Sequence, residues 1–251
     1  MTDHGQDRPL AVVSGAGTGI GSATALALAE RGHDVVAIGR RADVLERAAE
    51  GIRAATGAAV TVIAADLSEP DGAGRVAEAL AGRAVDVLVN NAGGYVGRDS
   101  DGLTAVADQW RATFETNVLT AVLLTEALLP LLRRPGGRVV LLSSIAAQRG
   151  GGGPYSAAKA ALHGWVLDLA AQLGPDGATA NVVSPGYVAE TEFFAGRMTP
   201  QGHAARVAQT LVGRAGRPRD IADAVCWLAG ESGGYVTGQI INVNGGSVLG
   251  R

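Results

Sequence analysis

The chain has 251 residues, 47% of them hydrophobic and 18% charged, with a net charge of -3 and a pI of about 5.8. That length and apolar content can bury one substantial core, and 37 glycines dispersed over turns exclude a collagen-like or low-complexity chain. With no general positive field, nucleic acid and anionic lipid are excluded as partners; Cys226, the single cysteine, excludes an internal disulfide.

The histidines, His4, His33, His163 and His203, are too scattered for a metal site. The opening Met1 to Pro9 is polar and lacks the apolar segment of a secretory signal. The longest greasy region, Thr120 to Leu132, is broken by Glu126 and Pro130, so no membrane span is expected. A single domain over residues 1–251 follows, cytoplasmic, with a flexible terminus at 1–8.

In chain order, the first predicted strand is Leu10 to Ser14, which runs into Gly15-Ala-Gly-Thr-Gly-Ile-Gly21 and then an alanine-rich amphipathic helix. Glycines permit positive φ and let a phosphate approach the backbone, while the N–H groups opening the helix attract the anion. A dinucleotide pyrophosphate is the expected ligand. The common G-x-G-x-x-G spacing is not met, since from Gly15 the last position is Ile20 and from Gly17 it is Ser22. Gly15-x-x-x-Gly19-x-Gly21 fits instead. The plain alternative is a glycine-rich turn between any strand and helix.

Further strands are predicted at Asp34 to Gly39, Ala59 to Ala65, Val85 to Asn90, Arg138 to Ser143, Ala180 to Ser184 and Gln239 to Val243, with helical stretches between them. Apolar runs with little alternation suit strands covered on both faces, and strand-helix alternation implies an α/β chain with a doubly wound parallel sheet. Ligands of such sheets bind at the carboxyl ends of the strands. There lie the glycine turn, Arg40, Asp66, Asn90-Asn91-Ala92-Gly93 and Ser144.

After the fifth strand, Tyr155 and Lys159 stand four apart in Pro154-Tyr-Ser-Ala-Ala-Lys-Ala160. On a helix these positions share a face, so the ammonium is placed to favour the ionised phenol, which otherwise titrates near about 10. A Tyr and a Lys at this spacing also occur by chance on many helices.

In this order and spacing the sequence resembles a short-chain dehydrogenase/reductase over nearly its whole length. The match is carried by Ser14 to Gly21, Asp66-Leu67, Asn90 to Gly93, Asn117, Ser143-Ser144, Tyr155-x-x-x-Lys159, Ser184-Pro185-Gly186 and Arg217-Pro-x-Asp220-Ile221. The resemblance implies a single-domain Rossmann-type sheet of about seven strands and a catalytic tetrad of Asn117, Ser144, Tyr155 and Lys159. Tyr155 would exchange a proton with the substrate oxygen as hydride moves to or from a nicotinamide, and Ser144 would hydrogen-bond that oxygen. Lys159 would depress the Tyr155 pKa and hold the nicotinamide ribose, while Asn117 would hold a relay water. No metal is required.

The same resemblance sets Gly15, Thr18, Gly19, Ile20, Gly21, Ala92 and Gly93 on the cofactor. Asp66 and Leu67 would lie against the adenine, Asn91 near the adenosine ribose, and Pro185, Gly186 and Val188 around the nicotinamide. Asp66 has the alternative of capping the next helix, and Asn90 that of satisfying buried backbone groups. At the end of the second strand, where an NAD enzyme places a carboxylate for the ribose 2′-OH, this chain has Gly39 and then Arg40-Arg41. A guanidinium binds a 2′-phosphate as a fork, so NADP(H) is expected over NAD(H). The bland reading of the two arginines is a solvated pair.

Ser144 is chosen over Ser143 because it precedes Ile145-Ala146, although the stretch to Tyr155 is about two residues shorter than usual in the family. Thr191 falls one residue later than the family's threonine after Pro-Gly. Residues 187–213 correspond to the substrate lid, with Phe193, Phe194 and Met198 as apolar contacts, which suggests an uncharged small-molecule carbonyl or alcohol substrate. A 3-oxoacyl-[acyl-carrier-protein] reductase is the alternative, weakened by Asp176 at a usually basic position, with Arg133 and Arg134 as basic neighbours. A non-catalytic redox sensor or scaffold is the alternative of another class. Relatives pair helices after Asn117 and around Tyr155, and their C-terminal segments, which implies a homotetramer.

Overall fold

The computed structural model describes residues 8–194, 196 and 198–249, with Phe194 described by its backbone. Residues 1–7 of the expected flexible terminus and the Phe194 side chain lie outside the described residues. Arg8, the last residue of that terminus, is tied down: its guanidinium donates to the Gly32 and Ala29 carbonyls at 3.0 and 3.2 Å.

Seven strands form one parallel sheet: β1 (Leu10–Ser14), β2 (Asp34–Gly39), β3 (Val60–Ala64), β4 (Val87–Asn90), β5 (Arg138–Leu142), β6 (Thr179–Pro185) and β7 (Ile240–Val243). Their order across the sheet is β3-β2-β1-β4-β5-β6-β7. The helices are α1 (Gly19–Glu30), α2 (Ala42–Thr56), α3 (Pro70–Ala79), α4 (Leu103–Phe114), α5 (Thr120–Leu128), α6 (Ala146–Arg149), α7 (Pro154–Leu173), α8 (Pro200–Val207) and α9 (Pro218–Ala229). This is the doubly wound Rossmann-type sheet expected from the strand-helix alternation.

The central strands β1, β4 and β6 are buried along their whole length because both of their faces are covered, whereas the edge strands β3 and β7 are partly exposed. Ala11 and Val13 of β1 point into one core with Leu28 of α1, Ile52 of α2 and Val225 of α9. Leu10 and Val12 point into the other, with Val76 of α3, Leu124 of α5 and Val166 of α7. Cys226 sits in the first core, and burial pushes its thiol up to about 11, so it is packing rather than a nucleophile.

Strand ends moved by a residue or two. Val85 makes an isolated bridge to Leu132 instead of opening β4, because the Asp86 carboxylate between them takes the Leu10 amide at 2.7 Å and the Arg133 guanidinium. The greasy stretch is not broken at Glu126. Residues Leu103–Leu131 run as one helix, long and apolar enough by length and composition to cross a membrane. Glu126 lies on its exposed side, while Ala121, Leu124 and Leu128 fill the core.

From β1 the chain winds outward through β2 and β3, then returns to build β4 through β7 on the other side. That reversal leaves a crevice at the carboxyl ends of β1 and β4.

Candidate active site

The crevice is a cleft of about 600 Å³. Its wall brings together the expected Gly15, Thr18, Gly19, Ile20, Arg40, Arg41, Asp66, Leu67, Asn91, Ala92, Gly93, Ser144, Tyr155, Lys159, Pro185, Gly186 and Val188. Gly21, Asn90 and Asn117 stand outside the wall.

At the glycine turn, Gly15 and Gly19 have φ of +65° and +52°, which glycine adopts without strain. A β-carbon on Gly21 would lie 2.1 Å from the Gly15 carbonyl oxygen, so α1 starts this close to β1 because position 21 has no side chain. The first turn of α1 has no acidic residue, and Thr18 makes no side-chain cap to it. The positive end of the helix therefore faces the cleft and suits an anion.

Ser14 and Asn91 lock this turn to β4. Ser14 Oγ accepts from the Asn91 and Ala92 amides, both at 3.0 Å, and Asn91 Nδ2 donates to the Ser14 and Gly15 carbonyls at 3.0 and 3.2 Å. The Asn91 amide thus braces the turn from its place in the cleft wall. Asn90 Nδ2 donates to Thr125 Oγ1 at 2.8 Å inside the core, away from the cleft.

On the far side, Asp66 Oδ1 accepts from the Ser68 amide at 3.0 Å and its hydroxyl at 2.6 Å. These bonds, with a smaller contribution from Arg40, hold the carboxyl below the usual range. They form a turn of their own; α3 is entered through Glu69 instead. Arg40 and Arg41 are exposed at the rim, and Arg41 pairs with Glu192 at 2.6 Å.

At the opposite end, Tyr155 and Lys159 share one face of α7, with Nζ 5.9 Å from the Tyr155 ring centroid. Lys159 is buried and donates to the Leu142 carbonyl at 2.9 Å. Burial lowers its pKa to about 8 and raises that of Tyr155 to about 12. The expected depression of the phenol by Lys159 is therefore overturned here. Desolvation of the phenolate is the larger cause and the Ser144 hydrogen bond opposes it, while the Lys159 Nζ is turned to Leu142.

The two serines divide cleanly. Ser144 bonds Tyr155, whereas Ser143 Oγ is buried against the Lys159 carbonyl at 2.9 Å and His163 Nε2 at 2.8 Å. His163 was not singled out by sequence, although its place one turn after Lys159 on α7 is a signal that reads in hindsight.

Asn117 lies in a π turn, Glu115–Leu119, between α4 and α5. The extra residue of a π turn re-aims a side chain. Asn117 Nδ2 donates to the Gly94 and Thr113 carbonyls at 2.8 and 3.0 Å, and Oδ1 accepts from the Gly94 amide at 3.0 Å. Its amide braces the Gly93-Gly94 segment. A β-carbon on Gly93 would lie 2.7 Å from Asn117 Oδ1 and 3.0 Å from Lys159 Nζ, so this glycine lets the two approach.

The segment after β6 brings Thr191, Glu192 and Phe193 to the cleft wall. Thr191 Oγ1 donates to the Val188 carbonyl at 3.3 Å, and Phe193 packs on the Tyr155 ring with centroids 5.5 Å apart. Glu192, between them, had no signal in the sequence because a carboxylate in a loop is ordinarily solvated.

A short-chain dehydrogenase model described as enoyl-(acyl carrier protein) reductase matches residues 15–247. The 3-oxoacyl-[acyl-carrier-protein] reductase FabG of Escherichia coli K12 is 34% identical over 245 residues, covering 96% of this chain and 97% of that protein. The chain belongs to the short-chain dehydrogenase/reductase family. The short-chain reductase protein NovJ of Streptomyces niveus is 37% identical over 249 residues, covering 94% of this chain and 93% of that one. Among solved structures, the Pseudomonas aeruginosa RhlG/NADP active-site complex superposes with a TM-score of 0.85 at 33% identity, covering 96% of each chain. The protein is an oxidoreductase of this family, and a nicotinamide dinucleotide is its cofactor.

The residues present fit that group. Side chains that would fill the glycine turn are missing at Gly15, Gly19 and Gly21, and the end of β2 offers cations rather than a carboxylate.

Proposed function

We propose that this enzyme interconverts a ketone or 3-oxo compound and a secondary alcohol, with NADP(H) preferred over NAD(H) and Tyr155 as general acid and base. The reading is carried by the convergence of Tyr155, Ser144 and Lys159 at one end of a cleft whose other end is a glycine turn and two arginines. When bound, the nicotinamide supplies or takes up the hydride.

Gly15, Gly19 and the start of α1 hold the pyrophosphate, and Arg40 and Arg41 serve the 2′-phosphate. Asp66 and Leu67 flank the adenine; Pro185, Gly186 and Val188 flank the nicotinamide. With a pKa of about 12, Tyr155 carries its proton at neutral pH and donates it to the substrate oxygen during reduction. Ser144 donates to the same oxygen and fixes its position. Lys159, at about 8, is mostly protonated at pH 7 and would hold the nicotinamide ribose. Asn117 holds the Gly93-Gly94 backbone beside Lys159.

The identity to FabG favours a second reading, reduction of a 3-oxoacyl group carried on an acyl carrier protein. Against it, Arg134 pairs with Asp176 and Arg133 with Asp86. Those pairs neutralise the basic face that a carrier protein would use, and support a free small-molecule substrate.

The test is turnover on a panel of ketones and alcohols with both cofactors. Tyr155→Phe is expected to cost about 10²- to 10⁴-fold in kcat while dinucleotide binding persists. Arg40→Ala is expected to narrow the preference for NADPH over NADH. Full activity in Tyr155→Phe would remove the proposed chemistry, and equal wild-type affinities for the two cofactors would remove the role of Arg40.

A further inference from the structure

Of the two arginines at the rim, Arg41 already has a protein partner. Glu192 Oε2 lies 2.6 Å from Arg41 Nη2 and 3.4 Å from Thr18 Oγ1. Arg41 follows β2 and Thr18 precedes α1, so the carboxylate sits between the two elements that receive the adenosine ribose of a dinucleotide. It reaches them from the opposite wall of the cleft, on the turn Glu192–Phe194 beyond β6. The next residue, Phe193, rests on Tyr155. One turn of the lid is thus fastened at both ends of the cleft, by an ion pair at the adenosine end and by a ring contact at the reacting end.

A carboxylate and a 2′-phosphate seek the same guanidinium and repel each other. A ribose 2′-hydroxyl, by contrast, donates to a carboxylate. The end of β2 supplies no such acceptor, since Gly39 stands there. Asp43, which also adds to the field at Arg41, is engaged by Arg47 at 3.0 Å. Both members of the Arg41–Glu192 pair are more than half exposed, so water screens the pair and keeps it exchangeable.

We infer that Glu192 is a specificity-determining residue, a lid carboxylate that competes with the cofactor 2′-phosphate for Arg41 and accepts from a ribose 2′-hydroxyl in its place. This rests on the reading of the cleft as a dinucleotide site that prefers NADP(H). Entry of a 2′-phosphate makes Arg41 release Glu192, and the turn that carries Phe193 against Tyr155 is released with it. A cofactor with a 2′-hydroxyl leaves the pair in place.

The experiment is titration of NADPH and NADH into the full chain, as wild type, Glu192→Gln, Arg41→Ala and the double variant. Glu192→Gln is expected to tighten NADPH about two- to fivefold, the range for one exposed charge, and to weaken NADH, and an unchanged NADH affinity would overturn the bond to the 2′-hydroxyl. In the Arg41→Ala background the same change is expected to leave NADPH affinity where it was. Equal shifts for both cofactors, no shift, or a shift that persists without Arg41 would each overturn the competition. The exposed position of Glu192 leaves folding intact, which an unchanged thermal midpoint checks. The wild-type ratio separately reads the NADP(H) preference: a wild type that favours NADH removes that preference, while a ratio still moved by Glu192→Gln keeps the competition.

Discussion

Lys159 carries a charge in a place with almost no water, and its burial has a consequence for stability. Its folded pKa is about 8 against an ordinary 10.5, so between these values the unfolded chain binds more protons than the folded one. The native state therefore gains stability as pH rises from about 8 toward 10.5, and below 8 the full cost of burying the ammonium is present. Tyr155 and Cys226, whose values are raised to about 12 and about 11, act in the opposite sense above their ordinary 10.0 and 9.0. Comparison with Lys159→Met isolates the lysine: denaturant titrations at pH 7.5, 8.5 and 9.5 should show wild type gaining on the variant by roughly 1 kcal/mol per pH unit above 8. A parallel pH dependence in both would show that Lys159 is solvated. The pairing of Tyr155 with Lys159 was legible from spacing because helical geometry is local. The direction of their pKa shifts was not, because desolvation depends on what the rest of the chain packs over them.

Among the elements, the joint between β1, the glycine turn and β4 sets the shape of the cleft. Ser14 Oγ accepts from two part-buried amides and donates to the Val89 carbonyl at 3.4 Å in the core. Ser14→Ala is expected to lower stability by about 1–2 kcal/mol, since it leaves two part-buried N–H groups without their partner, and to weaken dinucleotide binding with it. Ser14→Thr keeps the hydroxyl and is expected to stay near wild type in a denaturant titration. A silent Ser14→Ala would show that the joint is held by Asn91 alone. The strands and glycine turn were readable because apolar runs and glycines report on burial and φ directly. The π turn at Glu115–Leu119 was not, since one inserted residue in a helix leaves no composition signal.

For the whole molecule, the exposed apolar side chains mark where copies would meet. Trp110 and Leu119 lie on the long helix Leu103–Leu131, Leu167 lies on α7, and Trp227, Tyr235 and Leu249 lie toward the C-terminal end; all are more than 40% exposed. We propose that these faces assemble a homotetramer. Light scattering on the purified chain should then return four times 25.3 kDa, and Leu167→Glu should stop assembly at a smaller species while the fold persists. A monomer at micromolar concentration would leave these residues unexplained by assembly.

Sequence alone determined the parallel doubly wound fold, the glycine turn after β1, and the shared helix face of Tyr155 and Lys159, because periodicity, φ preference and helical spacing act over a few residues; Ser144 was placed beside them by the family resemblance. Tertiary structure decided the partners that come from far along the chain: Asn91 on the glycine turn, Asn117 on Gly94, and Glu192 on Arg41. Those contacts depend on which loop crosses which strand end, and that geometry exists once the whole sheet has closed its two cores.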